Sequence, residues 1–480
     1  RFLREPVLTA QDVELRETPC RMDNAAQKRI ELHLHTKMSS MDGVTNIKEA
    51  LQLAHAWGHK ALAITDHGVL QAYPEVYSAA KKLEGLQVIY GVEAYLANDT
   101  LPIVRNSSAW PLNGRFIVFD VETTGLNPVT DRLTEIGAVR VEDGQIVERF
   151  QTFVNPGKPI PTRITQLTGI TQQMVKDAPP SAKAIAAFSE FAKDACLVAH
   201  NASFDMSFIV AAGREQGLTF QQPVLDTVSL ARQMWPGLKN YKLETLAKRL
   251  KIDMGKHHRA DDDANTTAVM LQNALLLLKA KNAKTLDDVN HLFSGKRSVR
   301  DLPLNHVVLL AATQTGIKNL YALVSQSHLE HFHYKPRIPK TVLARYREGL
   351  LIGSACEQGE LYRAVLRGAD LETVRALCAF YDYYEIQPVE NNAYLIRRGE
   401  VKDEEGLRKI NRRIYELGQE FQKPVVATGD VHFLNPEDGV YRRILMHAQK
   451  MDFDHQPGLY LKTTEEMLQE FSYLGEEASM

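Results

Sequence analysis

The sequence has few cysteines, no long apolar run and almost no net charge. Its four cysteines are spread over 480 residues without paired spacing, which argues against a disulfide framework and favours a reducing, cytoplasmic compartment. No apolar stretch is long enough to cross a bilayer and the first residues lack a signal peptide's apolar segment, so we expect no membrane partner. The net charge of −2 excludes a global basic surface, so any contact with nucleic acid must be local.

An initiator methionine is also missing, because the chain starts at Arg1, and we expect it to be a piece of a longer protein. The length exceeds what one ordinary hydrophobic core supports and predicts two or three domains. Hydrophobic content of 44% and charged content of 24% are ordinary for a globular protein. Composition therefore indicates the number of domains, whereas function must be inferred from motifs.

The stretch at residues 116–125 combines an apolar strand with a pair of acids. Four apolar residues at 116–119 predict a buried strand, and Asp120 and Glu122 follow two residues apart. Residues two apart in a strand face the same side, and two buried carboxylates on one face need a cation between them. A pair of divalent metals, about 3.5–4 Å apart around a phosphate, meets this need in many nucleases.

A different pattern precedes this stretch, in which polar residues end short strands. His33 and His35 share a face of one predicted strand. His67 closes the next strand, and Glu93 closes a third. Helical stretches separate the strands, which predicts a parallel sheet or barrel with its chemistry at the carboxyl ends. Imidazole and carboxylate ligands together suit zinc, iron or manganese.

The same pattern returns after an unrelated segment. His306 lies at the edge of a strand and Cys356 ends another, while Asp430 and His432 are two apart at a strand end. We therefore predict an α/β barrel interrupted by an inserted domain, because the ends of a compact domain often lie close together. The predicted boundaries are 1–28 for the tail of a preceding module, 29–108 and 285–450 for the two halves of the barrel, 109–284 for the insert, and 451–480 for a connection to a following unit.

Three signatures of the insert resemble those of the DEDDh family, 3′→5′ exonucleases with a ribonuclease-H-like mixed α/β fold. They are DVETTG at 120–125, HNASFD at 200–205 and HRADDDA at 258–264. The resemblance implies that the carboxylates hold Mg²⁺ or Mn²⁺ and that the histidine, as a neutral imidazole, orients and deprotonates the attacking water. The catalytic residues would be Asp120, Glu122, Asp205, His258 and Asp263, all but His258 also metal ligands. Thr123, Thr124 and Phe204 are candidates for binding the terminal nucleotide by hydrogen bonds and stacking.

Two alternatives remain at the third signature. The spacing of four residues between histidine and aspartate is met by His258 and Asp263 and also by His257 and Asp262. The flanking residues of the signature favour the first pair. The spare acids Asp261 and Asp262 would then stabilise the N-terminus of the following helix.

The interrupted barrel resembles the PHP family, named for polymerase and histidinol phosphatase, whose distorted parallel barrel holds up to three metals at its strand ends. Zinc, manganese or iron(II) would occupy such a site. Carrying the ligands over by position gives His33, His35, Asp42, His67, Glu93, His306, Cys356, Asp430 and His432. A metal can stabilise a fold without any turnover, so we expect a mainly structural role, with residual hydrolysis of phosphoesters as the alternative.

A PHP barrel interrupted by a DEDDh exonuclease resembles the PolC-type family of bacterial replicative DNA polymerases III. The resemblance implies proofreading of single-stranded or frayed 3′ primer ends of DNA, with a sliding clamp and other replisome subunits as partners. Polymerisation would belong to the parent protein, because Asp452 and Asp454 have suitable spacing but no strand-like setting. The rival hypotheses are a stand-alone DNA repair exonuclease fused to a PHP phosphoesterase and a non-catalytic, metal-locked replisome scaffold.

Overall fold

The computed structural model describes residues 21–253, 259–293, 299–369, 371–449 and 456–475. The candidates His257, His258, Asp452 and Asp454 lie outside these ranges. A search of the described residues finds no helix with the length and hydropathy needed to cross a membrane.

Strands and helices alternate through most of the described chain. The strands are β1 (Ala61–Ile64), β2 (Gln87–Ala97), β3 (Val104–Arg105), β4 (Phe116–Thr123), β5 (Leu133–Glu142), β6 (Gln145–Phe153), β7 (Cys196–Ala199), β8 (Val224–Asp226), β9 (Leu304–Ala311), β10 (Phe332–His333), β11 (Lys335–Pro339), β12 (Leu350–Gly353), β13 (Tyr384–Ile386) and β14 (Val425–Ala427). The helices are α1 (Ile47–Ala56), α2 (Tyr73–Ala80), α3 (Thr162–Thr168), α4 (Gln172–Val175), α5 (Ser181–Phe191), α6 (Ala202–Arg214), α7 (Thr227–Met234), α8 (Leu243–Leu250), α9 (Ala260–Ala280), α10 (Leu286–Phe293), α11 (Gln314–Leu329), α12 (Lys340–Arg345), α13 (Glu360–Leu366), α14 (Leu371–Phe380), α15 (Tyr394–Arg397), α16 (Glu404–Phe421), α17 (Gly439–Ala448) and α18 (Thr464–Glu470).

Strands from the first and last parts of the chain form a continuous ring. β1 pairs with β2, β2 with β9, β9 with β12, and β13 with β14. Single bridges join the remaining neighbours: Glu31 to Leu62, Gly353 to Tyr383, and Leu34 to Val431. The ladder therefore returns to its start, as the strands of a closed barrel do.

One strand of the ring departs from the predicted parallel arrangement. β9 runs antiparallel to both β2 and β12, so the prediction of parallel strands is wrong there. Because its direction is reversed, the beginning of β9, which carries His306, lies beside the latter part of β2, where His306 pairs with Tyr95. This reversal explains how a residue near the start of a strand reaches a site built from strand ends.

The insert contains a mixed sheet with the strand order β3-β8-β7-β4-β5-β6. β4 lies parallel to β7 and antiparallel to β5. Alternate residues of β4 face opposite layers, as the two-residue period of a strand requires. Phe116 and Val118 pack in a core with α9 and α10, whereas Ile117 and Phe119 pack in a second core with α5 and α6. The end of β4 that carries Asp120 and Glu122 is thus held between two helical layers.

The chain enters and leaves the insert at neighbouring positions. The Leu112 backbone N–H donates to the Lys284 carbonyl at 2.9 Å, and the Leu286 N–H donates to the Trp110 carbonyl at 2.9 Å. Such an antiparallel crossing supports the interpretation of an insertion into the barrel chain.

The core of the insert extends beyond the predicted limits of 109–284. On one side β3, which lies in the predicted first half of the barrel, pairs with β8 and buries Val104. On the other side α10 buries Val289 and Phe293 in the same core, and the Asn290 side chain bonds both backbone groups of Val104. Residues 103–104 and 286–293 therefore share a core with the insert, and the boundaries 109–284 stay a prediction.

The two terminal segments pack on the barrel and not away from it. Asp23 is 4% exposed; its carboxylate accepts from Thr464 Oγ1 at 2.7 Å and lies 2.9 Å from His59 Nε2. Met467 and Phe471, on and after α18, join the barrel core. The described parts of both segments therefore pack against the barrel, and the assignment of residues 1–28 to a tail and of 451–480 to a connection stays a prediction.

Candidate functional sites

Asp120 and Glu122 lie at the end of β4, on the face that receives α9. Asp120 pairs in register with Gly137 of β5, and Glu122 pairs with Glu135. The absence of a side chain at Gly137 lets the first turn of α9 approach the sheet, since a Cβ there would lie 2.3 Å from the Ala260 carbonyl carbon. The strand supplies two acids, and the glycine opposite admits the element that supplies the third.

Asp263 completes a group of three carboxylates. It lies in the first turn of α9 and is 6% exposed. One oxygen from each of Asp120, Glu122 and Asp263 lies within 4.8 Å of the other two. Asp261 and Asp262 are more exposed and do not join this group among the described residues. The geometry therefore brings together the three acids that the first alternative selects.

Asp205 reaches the site from the other helical layer. It lies in the first turn of α6 and is 2% exposed, and its Oδ1 accepts the Val121 backbone N–H at 3.2 Å. This bond fixes the start of α6 against β4 between Asp120 and Glu122. Asp205 lies outside the tight group of three, and its role as a metal ligand stays a prediction.

Burial and neighbouring carboxylates disfavour the charged forms of Asp120 and Glu122. Burial raises the pKa of Asp120 well above its ordinary value, and the carboxylates of Asp205 and Glu122 raise it further. Burial raises the pKa of Glu122 to about 8, with a contribution from Asp263. Burial also raises the pKa of Asp205 to about 7. An all-oxygen set of this kind fits a hard divalent cation, which would relieve the repulsion.

The threonines predicted to bind substrate are engaged inside their own loop. Thr123 Oγ1 donates to the Gly125 carbonyl. Thr124 Oγ1 donates to Asp131 Oδ1 at 3.0 Å and accepts the Arg132 N–H at 3.1 Å. These bonds close the loop, and the predicted hydrogen bonds of the two threonines to a nucleotide stay a prediction.

Phe204 keeps a partly exposed ring at the start of α6, 5.2 Å from the ring of Phe208. Its predicted stacking on a base stays a prediction. The candidate base His258 and its alternative His257 lie outside the described residues, so their roles also stay predictions.

The barrel gathers its nine predicted ligands at one rim, with Glu93 near the centre. The Glu93 carboxylate lies 2.6 Å from His67 Nδ1 and 2.7 Å from His306 Nδ1. His33 Nε2 and Cys356 Sγ each lie 3.4 Å from Glu93 Oε1. His306 and Cys356, for which no sequence motif was clear, thus fall within the same cluster.

The other ligands surround this centre. Asp42 Oδ2 lies 3.1 Å from His67 Nε2 and 3.5 Å from His432 Nε2. Asp430 Oδ1 lies 3.2 Å from His35 Nε2. Residues from 33 to 432 therefore meet in one place, although the chain between them includes the whole insert.

Buried polar atoms in the cluster fit a metal centre. Within the described part of the chain, His33 Nε2, His35 Nε2 and Glu93 Oε2 are buried without a well-aligned hydrogen-bond partner. Leaving such groups unpaired costs free energy, and imidazole nitrogens with carboxylate oxygens are suitable ligands for zinc, manganese or iron.

The sequence reasoning missed Glu385, which supports the cluster from β13. Its Oε1 accepts from His33 Nδ1 at 2.7 Å and from Thr428 Oγ1 at 2.6 Å. A carboxylate behind a ligating histidine selects its tautomer and orientation. The available signal was a lone acid between Tyr384 and Ile386 in an apolar strand.

Arg442 was missed as well. It lies on α17, is 7% exposed and donates through Nε to Asp42 Oδ1 at 2.9 Å. Its sequence distance of 400 residues from Asp42 left no local signal.

Comparison with known proteins agrees with this geometry. Residues 117–271 match the exonuclease family. The chain is 50% identical over 99% of its length to PolC-type DNA polymerase III of Clostridium perfringens, of which it covers 33%. It is 43% identical over 99% of its length to the Bacillus subtilis protein of the same description, covering 34%. Among solved structures, exonuclease X in complex with 5′-overhanging duplex DNA is 30% identical with a TM-score of 0.31, and the match covers 37% of this chain and 98% of that one.

These matches define an exonuclease domain with acidic, divalent-metal chemistry, as predicted from the signatures. Over 99% of its length the chain is similar to proteins described as PolC-type DNA polymerase III, which confirms the resemblance to that family. It spans about one third of the length of the curated relatives that it matches.

Proposed function

We propose that the insert is the proofreading 3′→5′ exonuclease of a replicative DNA polymerase, acting on single-stranded or frayed 3′ primer ends of DNA. The observation that carries the proposal is the convergence of the Asp120, Glu122 and Asp263 carboxylates inside the region that matches the exonuclease family. Exonuclease X, a similar protein, is described in complex with DNA. A sliding clamp and other replisome subunits, in the cytoplasm, would be partners of the whole protein, which would also perform polymerisation.

Asp120, Glu122 and Asp263 would hold Mg²⁺ or Mn²⁺, with Asp205 in support. The bound ions would activate water and stabilise the charge that develops on the leaving oxygen. His258 is the proposed base that takes a proton from the attacking water, and Asp205 holds α6 in place through the Val121 N–H. Phe204 would stack on the terminal base.

Degradation of a 3′-mismatched primer by the 480-residue chain tests this proposal. We expect Asp120→Ala/Glu122→Ala and Asp263→Ala to lose activity by roughly 10³-fold or more. Each removes ligands of the divalent ions that would stabilise the charge developing in the transition state. The matched control is Asp261→Ala, which changes the same turn of α9 and should retain near-normal activity. Near-normal activity of Asp263→Ala would refute the assignment of the third acid.

We further propose that the ring of strands is a PHP barrel that holds Zn²⁺, Mn²⁺ or Fe²⁺ mainly for stability. The cluster that Glu93 forms with eight other ligand-type side chains supports this role. Metal content of the purified chain, measured by mass spectrometry, should fall in His33→Ala/His35→Ala and stay unchanged in the control His55→Ala, an exposed histidine on α1.

The same variants separate structural from catalytic roles of the barrel. We expect the His33→Ala/His35→Ala chain to be less stable, but the fraction that remains folded should keep most of the wild-type rate of primer degradation. If this variant were inactive while Asp120→Ala/Glu122→Ala remained active, the nuclease would be the barrel and the main proposal would be wrong.

A further inference from the structure

A fifth carboxylate lies among the acids of the exonuclease site. Glu135 is fully buried on β5 and pairs in register with Glu122. Position alone would make it a metal ligand. Its hydrogen bonds indicate a different role.

Both oxygens of Glu135 are already engaged. Arg259 donates to them as a fork, with Nε 3.1 Å from Oε2 and Nη2 2.8 Å from Oε1. The Ala260 backbone N–H donates to Oε2 at 3.2 Å, and Gln151 Nε2 donates to Oε1 at 2.7 Å. The guanidinium also lies 5.3 Å from the ring centroid of Phe153. Two-pronged arginine–carboxylate pairs fix geometry as well as charge.

These bonds hold the first residues of α9. Arg259 is the N-cap residue and makes no side-chain cap of its own, so the Ala260 N–H is satisfied from the neighbouring sheet by Glu135. Gly137, two residues along β5, provides the space into which Ala260 fits. Asp263 follows one turn later, so the placement of its carboxylate depends on where the helix begins.

We propose that Glu135, Arg259 and Gly137 form a positioning device that sets Asp263 against Asp120 and Glu122. The Arg259 guanidinium also partly offsets the negative charge of Glu135 beside these acids. The proposal rests on the function proposed for the exonuclease site. It assigns positioning roles to residues that do not touch substrate.

The structure makes an asymmetric prediction for this pair. Arg259→Gln leaves Glu135 buried beside the other acids without its cation, whereas Glu135→Gln/Arg259→Gln removes both charges. Losing one partner of a buried pair costs more than losing both. The double variant should therefore bind Mn²⁺ more tightly and degrade the primer faster than Arg259→Gln. If the two substitutions only added independent structural defects, the double variant would be the worse of the two.

Titration of the 480-residue chain with Mn²⁺, followed by electron paramagnetic resonance, measures the effect directly. Asp120→Ala/Glu122→Ala supplies the signal of the barrel alone, which is subtracted. We expect Arg259→Gln to weaken Mn²⁺ binding at the exonuclease site by about 10- to 100-fold. The double variant should bind Mn²⁺ at least about threefold more tightly than Arg259→Gln. Primer degradation should show a similar fall in kcat with little change in KM.

Arg149→Gln is the matched control. Arg149 lies 3.8 Å from Asp261 of α9 but belongs to β6 and does not contact Glu135. It should bind Mn²⁺ within about twofold of the wild type. If Arg259→Gln unfolds, Arg259→Lys, which keeps the charge and loses the fork, is measured in its place and should show an intermediate loss.

The outcomes distinguish the two proposals. If Asp263→Ala weakens Mn²⁺ binding but Arg259→Gln and Arg259→Lys do not, the positioning role is wrong and the metal site stands. A double variant no better than Arg259→Gln would also overturn the positioning role. If Asp263→Ala binds Mn²⁺ normally, the metal site itself is wrong.

Discussion

The two clusters of metal-type side chains differ in how their charges are arranged. In the exonuclease domain, acids face acids, and burial raises the pKa of Asp120, Glu122 and Asp205. In the barrel, burial acts in the same direction on Asp42 and Glu93, but neighbouring histidines outweigh it and lower their pKa.

This difference indicates different dependence on metal. Mutual repulsion in the exonuclease site lowers the stability of the metal-free domain and is relieved when a cation binds. Imidazoles and carboxylates in the barrel partly compensate one another, but they leave nitrogen atoms unpaired. We expect exchangeable, function-linked metal in the first cluster and tightly held metal in the second.

The largest effect should come from Asp120→Asn. The substitution removes a charged ligand and should reduce primer degradation by roughly 10³-fold or more. It should also raise the unfolding free energy of the metal-free domain by roughly 1–2 kcal/mol, because it removes repulsion. Chemical denaturation in the presence of a chelator measures the second effect. An Asp120→Asn domain less stable than the wild type would refute the repulsion inferred for the exonuclease site.

A barrel ligand should behave in the opposite way. We expect His35→Ala to lower the unfolding free energy of the barrel by roughly 3–5 kcal/mol, since it breaks a buried polar cluster and weakens metal binding. Thermal unfolding followed by calorimetry, with and without chelator, measures the loss. If a chelator lowers the unfolding temperature of the barrel in the wild type but not in His35→Ala, the loss of stability is due to lost metal binding.

The stability of the metal-free exonuclease domain should also depend on pH, and it should fall as pH rises. The folded pKa values of Glu122, about 8, and Asp205, about 7, are raised, so the stability linked to these groups is present at low pH and lost as pH rises through 7–8. In chelator, Glu122→Gln should therefore gain stability relative to the wild type between pH 5 and pH 8, by about 1 kcal/mol. Saturating Mn²⁺ should reverse this advantage. A difference independent of pH would refute the assigned repulsion.

The smallest effect should come from the contact between the two regions. Asn127 is 7% exposed, and its Nδ2 donates to the Glu400 carbonyl of the barrel. It lies in the loop that follows the Asp120–Glu122 signature. We expect Asn127→Ala to change kcat by roughly two- to fivefold, about the effect of one hydrogen bond, with metal binding in both clusters retained. Unaltered kinetics would indicate that the insert works independently of the barrel.

Local patterns identified the principal side chains of both clusters. The period of two in β4 identified Asp120 and Glu122, and strand-end histidines identified most of the barrel set, because these signals arise from neighbours in the chain. Their recognition needed no knowledge of packing. The sequence was less informative about β9, whose direction follows from pairing with β2 and β12 and not from its own residues.

The residues that support the ligands could be found only in three dimensions. Glu135 contacts Arg259 across 124 residues, and Arg442 contacts Asp42 across 400. No period or spacing connects such pairs, because sheet and barrel closure bring them together.

The sequence by itself determined the chemistry of this protein: two acids on one strand face, three exonuclease signatures and a barrel split by an insertion. Tertiary structure alone decided which acids face one another and which acid is paired with a cation, since that depends on the partner that packing places beside each carboxylate. Glu122 and Glu135 lie side by side on β4 and β5. They differ because Arg259 pairs with Glu135 and not with Glu122. In a buried site the nearest charged group has the strongest effect on the charge state of a carboxylate.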